Sequence, residues 1–155
     1  MNERCVLLVT GSRSLAREEG FNEYAVGRFE SVVAQLDAEF GEIGEVVHGG
    51  AGGVDRAADA FFRARVAQVT VHKPDYARYG RIAPLLRNSA MAARCTHCLA
   101  IWDGESRGTL HQVRAALEFV SRERVTFFYF PWSTPGPIPW LGDPKPPRGL
   151  RGVAR

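Results

Sequence analysis

His48-Gly49-Gly50-Ala51-Gly52-Gly53-Val54-Asp55-Arg56-Ala57-Ala58 is the stretch that decides the fold. It begins where a short run, Glu45-Val46-Val47, stops. It ends inside a helical pattern, Ala57, Ala58, Phe61, Phe62 and Val66. The glycines at 49, 50, 52 and 53 therefore sit on a strand-to-helix turn. Glycine there admits positive φ and lets a ligand approach the main chain. The helix that follows points its amides and positive dipole end at the turn. The expectation is an anion or phosphate cradle.

Working outward, Cys5-Val6-Leu7-Leu8-Val9 reads as a strand buried on both faces. It stops at Thr10-Gly11-Ser12-Arg13. Phe21, Tyr24, Phe29, Val32, Val33, Leu36 and Phe40 follow at helical spacing, with Gly41 and Gly44 as punctuation. After the glycine turn comes a helix to about Val66, then a third strand, Val69-Thr70-Val71-His72. Ile82, Leu85, Leu86, Ala90 and Ala93 mark a helix with one apolar face, and Arg87, Asn88 and Met91 occupy a neighbouring face. Cys98 to Trp102 is a fourth strand. Leu110, Val113, Leu117 and Val120 make the last helix, and Val125 to Phe130 the fifth strand.

Alternating strands and helices predict a single-domain α/β fold. Its core is a Rossmann-like parallel sheet of about five strands, with helices on both faces. The polar clusters Gly11-Ser12-Arg13, Gly49-Gly50, Asp75-Tyr76 and Asp103-Gly104 all follow strands, so they converge on one sheet edge, where open α/β sheets bind ligands. The domain is expected over 1–130. From 131 to 155 the chain becomes a proline-rich tail: seven of the nine prolines fall there, with Trp132, Trp140, Lys145, Arg148, Arg151 and Arg155. The two tryptophans favour partial docking on this subunit or a neighbour.

Composition narrows the class. Hydrophobic content of 45% and charged content of 24% are ordinary for a globular protein. No apolar run reaches the roughly 18 residues of a membrane span, and no signal peptide is read at the N-terminus. The expected location is cytoplasmic, with no membrane partner. Three cysteines do not make a disulfide framework. A net charge of +3 suits an anionic small ligand or nucleic acid equally.

The glycine turn lacks the Gly-Lys-Ser/Thr ending of a Walker loop and the Gly-x-Gly-x-x-Gly of a dinucleotide fold. Gly108-Thr109, at the start of a helix, is a second anion site, with Thr109 able to cap that helix. Ser12 and Arg13 are a third, Arg13 being able to pair bidentately with phosphate. Asp55 falls in the first turn of the glycine-loop helix. It either stabilises that helix end or contacts a ligand hydroxyl. Tyr76 and Tyr79 either stack on a base or pack their loop. Cys95-x-x-Cys98 has no second ligand cluster, so buried thiols are expected and no metal. His48, His72 and His111 lack metal spacing; His111 is a candidate acid or base.

Gly11-Ser12-Arg13, Gly49 to Asp55, Tyr79-Gly80, Arg87-Asn88-x-x-Met91 and Gly108-Thr109 resemble, in order and from about Val6 to Leu117, the YspA-type (cpYpsA-related) branch of the SLOG superfamily. The resemblance implies a Rossmann-like fold that binds nucleotides or nucleotide-derived ligands. LOG-type phosphoribohydrolases, which cut the N-glycosidic bond of nucleoside monophosphates, and DprA-type proteins, which bind single-stranded DNA, are similar. The LOG arginine falls on Arg87, and the LOG glycine–threonine motif on Asp103 to Gln112. Its glutamate position is Gln112, a departure, because oxocarbenium chemistry needs a carboxylate. Asp55, Asp103 or Glu105 could supply one. Asp103, at a strand end, ranks first, with turn capping as its alternative role.

The expected function is binding of a nucleotide or phosphorylated ribose ligand, as a sensor or binding module. Gly11, Ser12, Arg13, Gly49, Gly50, Ala51, Gly52, Gly53, Asp55, Asn88, Gly108, Thr109 and Gln112 contact the ligand. A LOG-type hydrolase using Arg87 and Asp103 is the alternative, so enzyme status stays open. DprA-like single-stranded nucleic-acid binding is weaker still. No cofactor is expected. The resemblance implies a homodimer.

Overall fold

The computed structural model describes residues 3–140. Five strands run Cys5–Gly11 (β1), Ile43–His48 (β2), Val69–Val71 (β3), His97–Trp102 (β4) and Val125–Tyr129 (β5). All neighbours pair in parallel, in the order β3-β2-β1-β4-β5. The helices are Phe21–Phe40 (α1), Val54–Phe62 (α2), the single turn Tyr76–Tyr79 (α3), Ala83–Arg94 (α4) and Arg107–Ala116 (α5). This is a single-domain, Rossmann-like α/β fold. The chain winds outward from β1 to β3, then crosses back over the sheet to β4. Between β1 and β4 the winding reverses, and the carboxyl ends of those two strands open a crevice.

Each face has its own core. Leu7, Val9 and Ile101 bury themselves under α1 and α2, against Phe29, Phe61 and Phe62. The Phe29 ring centroid lies 5.4 Å from those of both Phe61 and Phe62. On the other face Leu8, Val47, Ala100 and Phe127 pack against Met91 of α4 and Val113 and Ala116 of α5. Strands covered on both sides explain the near-continuous apolar runs.

One expectation needs correction. The glycine-loop helix ends at Phe62 and not near Val66; Arg63 to Arg65 form turns that close it. The apolar stripe of α4 faces outward. Ile82, Leu85, Leu86, Ala90 and Ala93 are exposed, and the buried face carries Ala83, Asn88, Met91 and Ala92. Hydrophobic periodicity locates an apolar face but does not say what covers it. Here the polar residues of the neighbouring face are pulled in to build the crevice.

Residues 131–140 lie on the domain. Ile138 is fully buried, the Gly136 amide donates to Phe127 O at 2.7 Å, and the Tyr129 hydroxyl donates to Pro137 O. Arg114 of α5 stacks over Trp140 at 4.6 Å. The basic positions Lys145, Arg148, Arg151 and Arg155 lie outside the described residues. No helix among the described residues is long and apolar enough to cross a membrane.

Candidate functional site

The crevice encloses about 390 Å³ between the carboxyl ends of β1 and β4 and the starts of α2, α4 and α5. Gly11, Arg13, Gly49, Ala51, Asp55, Arg87, Asn88, Asp103, Gly108, Thr109 and Gln112 all line it, with His111 and Ser106. Ser12, Gly50, Gly52 and Gly53 do not. Ser12 is buried beneath the wall, where its hydroxyl accepts from the Asp103 amide at 3.0 Å and meets the Thr109 hydroxyl at 3.4 Å.

The glycine turn is built differently from an open cradle. Asp55 Oδ2 accepts from the Gly49 amide at 3.1 Å and the Ala51 amide at 3.2 Å. The Gly50 amide donates to His48 Nδ1 at 3.0 Å, so His48 carries its proton on Nε2 and donates it to Asp59 at 2.8 Å. Three amides expected to hold a phosphate are thus satisfied by the chain itself. Asp55 clamps the loop ahead of its helix, not the helix end.

Packing explains most of these glycines. A Cβ on Gly11 would lie 2.3 Å from Val54 Cγ2, and one on Gly53 2.5 Å from Ser12 O. A Cβ on Gly49 would lie 2.4 Å from Arg87 Nη1. Arg87 fills that space and donates from Nη1 to Gly49 O at 2.9 Å and His72 O at 3.1 Å. Its Nε donates to Asn88 Oδ1 at 2.9 Å, and Asn88 Nδ2 lies 3.0 Å from His111 Nδ1. Arg87 is therefore a strut tying α4 to the ends of β2 and β3, with no bond from Nη2 among the described residues. Burial lowers its guanidinium from the usual value, and Asp55 opposes that.

The second turn is closed more tightly. Asp103 Oδ1 accepts from the amides of Glu105 and Ser106, both at 2.8 Å, and Oδ2 accepts from the Ser14 hydroxyl at 2.6 Å. Burial pushes this carboxyl up, but the bonds from Ser14, Glu105, Ser106 and Ser12 outweigh it and hold it down at about 2. An ionised carboxylate engaged at both oxygens is a turn cap and a poor proton acceptor. The cap of α5 is Ser106, whose hydroxyl accepts from the Thr109 amide at 3.5 Å; Thr109 stands three residues inside. The Ser106-x-x-Thr109 spacing carried that signal, as did Ser14 two residues beyond Ser12. Gly108 alone among the wall glycines faces open space, with no atom within 4 Å of a Cβ.

Two polar atoms in this wall have no partner among the described residues. They are Asp55 Oδ1 and Gln112 Oε1. Asp55 is 6% exposed and Gln112 1%. Burial raises the Asp55 carboxyl above its ordinary range, against the Ala51 amide, His48, the Gly49 amide and Arg87. Cys5, Cys95 and Cys98 are buried free thiols, and no group of three or more His, Cys, Asp or Glu among the described residues could hold a metal. Tyr76 and Tyr79 stand outside the crevice, 57% and 41% exposed. No protein-family model and no curated protein matches the chain.

Proposed function

We propose that the crevice binds a nucleotide or a related phosphorylated ribose compound, and that the chain works as a binding or sensing module of the SLOG kind. One observation carries the reading. The crevice is lined both by unspent donors and by unspent buried acceptors. The exposed Arg13 guanidinium, Arg87 Nη2 and the Arg107 and Gly108 amides at the start of α5, which have no intrahelical acceptor, suit a phosphate. The open space at Gly108 lets that phosphate reach the helix end. Asp55 Oδ1 and Gln112 Oε1 suit sugar hydroxyls.

Native mass spectrometry of the purified protein, together with calorimetric titration of nucleoside 5′-monophosphates, tests the reading. A co-purified or titrated nucleotide is expected. Arg13→Ala should weaken its binding about tenfold, the loss of one charge-assisted pair, with the melting temperature unchanged. If no nucleotide binds, the reading fails.

Asp55 Oδ1 also favours a second reading, N-glycosidic hydrolysis, because it is a carboxylate oxygen in the crevice without a partner among the described residues. Release of free base from nucleoside monophosphates tests it, and no release across the common bases sinks it. DprA-like nucleic-acid binding predicts capture of single-stranded DNA at low salt, where phosphate contacts are strongest.

The homodimer belongs to the same proposal. Tyr76, Tyr79, Ile82, Leu85 and Leu86 are five of the seven exposed large hydrophobics among the described residues, gathered beside the crevice. Contiguous apolar surface of this kind marks contact sites. A second copy covering it would predict a dimer by light scattering and a monomer for Leu85→Asp.

A further inference from the structure

We infer that Asp55 and Gln112 read the hydroxyls of the ligand's sugar, so that the crevice selects ribose over deoxyribose compounds. The inference rests on the nucleotide reading above and deepens it. It starts from which hydrogen-bonding groups of the inner wall are already used. The Gly49 and Ala51 amides are spent on Asp55 Oδ2. Asn88 Nδ2 is bonded to His111, and Arg87 Nη1 and Nε are bonded to two carbonyls and Asn88. Gln112 Nε2 donates to Asn88 O at 2.9 Å. The buried side-chain atoms of this wall with no partner among the described residues are both acceptors: Asp55 Oδ1 and Gln112 Oε1.

The orientation of the Gln112 amide follows from the same bond. Turned over, the amide would set Oε1 against the carbonyl oxygen of Asn88, so the oxygen must be the atom left without a donor. Asp55 is fixed as firmly. Its Oδ2 takes two amides from the loop before it, which leaves Oδ1 as the free lone-pair group. The two acceptors come from different helices, α2 and α5, and line one crevice. Buried acceptors without donors are costly, and a ligand bringing hydroxyls repays that cost. A phosphate cannot do this, since it brings acceptors and negative charge. A ligand with an anionic group and a hydroxyl-bearing body satisfies both the donors and the acceptors of the crevice. A sugar lacking a hydroxyl leaves an acceptor empty, which is the kind of mismatch sites reject strongly.

The test compares the four common ribonucleoside 5′-monophosphates with their 2′-deoxy and 3′-deoxy counterparts by calorimetric titration. The full chain is used, as wild type, Asp55→Asn and Gln112→Met. Asn at 55 keeps an oxygen for the two loop amides and turns the free acceptor into a donor. Circular dichroism melts check that both variants fold. The expected result is at least one deoxy form binding about 10- to 100-fold more weakly than the ribo form in the wild type. That gap should shrink to within about twofold in Asp55→Asn or Gln112→Met. Equal binding of all three sugars by the wild type overturns the inference and leaves the nucleotide reading standing. So does a ribose preference that survives in both variants, since the hydroxyls are then read elsewhere. If no nucleotide binds at all, the reading and the inference fall together.

Discussion

The two strand-to-helix turns of the crevice, Gly49 to Asp55 and Asp103 to Thr109, are built on one plan and finished differently. Each closes its loop amides on an aspartate of its own. In the second turn both carboxylate oxygens are engaged, and the group is held down at about 2. In the first, one oxygen clamps the loop while the other is buried without a donor, and burial raises the carboxyl. The glycines differ in the opposite sense. Gly49, Gly50 and Gly53 of the first turn are demanded by packing, whereas Gly52, away from the crevice wall, and Gly108 of the second, on it, have no atom within 4 Å of a Cβ. A glycine-rich turn therefore does not by itself mean an open cradle. Here three glycines of the first turn let elements approach, and the free space on the crevice wall lies at the second.

The largest effects should come from breaking this asymmetry at the backbone. Gly53 has φ of 67° and ψ of −120°, and its Cβ would press on Ser12 O. Gly53→Ala should cost about 3 kcal/mol or more through strain and overlap together. At roughly 2–4 °C per kcal/mol that is a fall near 10 °C in melting temperature. Gly108→Ala should do the reverse. It sits in the first turn of a helix with open space around it, so stability should rise by about 0.5–1 kcal/mol. Nucleotide affinity should drop, because the methyl group enters the space assigned to phosphate. Equal melting losses for the two variants would erase the distinction between the turns.

The aspartates sharpen it through pH. Asp103 ionises more readily in the folded chain than in the unfolded one, at about 2 against 3.8. Its ionised form therefore adds stability that is present above about pH 4 and lost as pH falls through 2, roughly 2 kcal/mol in all. Asp55 works with the opposite sign. Its folded value lies above 3.8, so its contribution is present below that pH and is lost as pH rises through the folded value. Asp103→Asn should lower stability at pH 7 by about 2 kcal/mol and flatten the acid limb. Asp55→Asn should leave stability at pH 7 unchanged or higher, since it removes a buried charge while retaining an acceptor for the loop. Urea titrations from about pH 2 to pH 7 read both slopes. A loss in Asp55→Asn as large as in Asp103→Asn would contradict the half-open first turn.

Much of the frame could be read in the residues. Continuous apolar runs gave the five strands, and glycine and polar punctuation at their ends placed the crevice on one edge. Strand order could not be read, because the pairing of β1 with both β2 and β4 is a tertiary fact. The apolar stripe of α4 was legible as a stripe, but not what it faces, since periodicity carries no address. The role of Glu45 was also hidden. A lone acid inside a strand, it is 1% exposed and tied to Arg94 at 2.5 Å and the Thr70 hydroxyl at 2.6 Å, partners far away in sequence. The same limit applies to Asp55. Its position in the first helical turn fits a helix-end charge, and only the folded loop reveals that its bonds go backward to Gly49 and Ala51.

The smallest effect isolates one bond of the closed turn. Ser14, in the short 3₁₀ helix after β1, donates to Asp103 Oδ2 at 2.6 Å and is the strongest of the bonds that lower that carboxyl. Ser14→Ala removes one charge-assisted hydrogen bond from a partly buried group, a loss of about 1–2 kcal/mol. The Asp103 value should rise toward 3.8, so the acid limb of the stability profile should move to higher pH. Asp103 would remain bonded to the amides of Glu105 and Ser106, which keeps the turn closed. The crevice keeps its shape, so nucleotide affinity at pH 7 should stay within about twofold of wild type. If Ser14→Ala instead weakened binding as much as Arg13→Ala, Asp103 would belong to the ligand site and not to the turn, and the two aspartates would have to exchange roles.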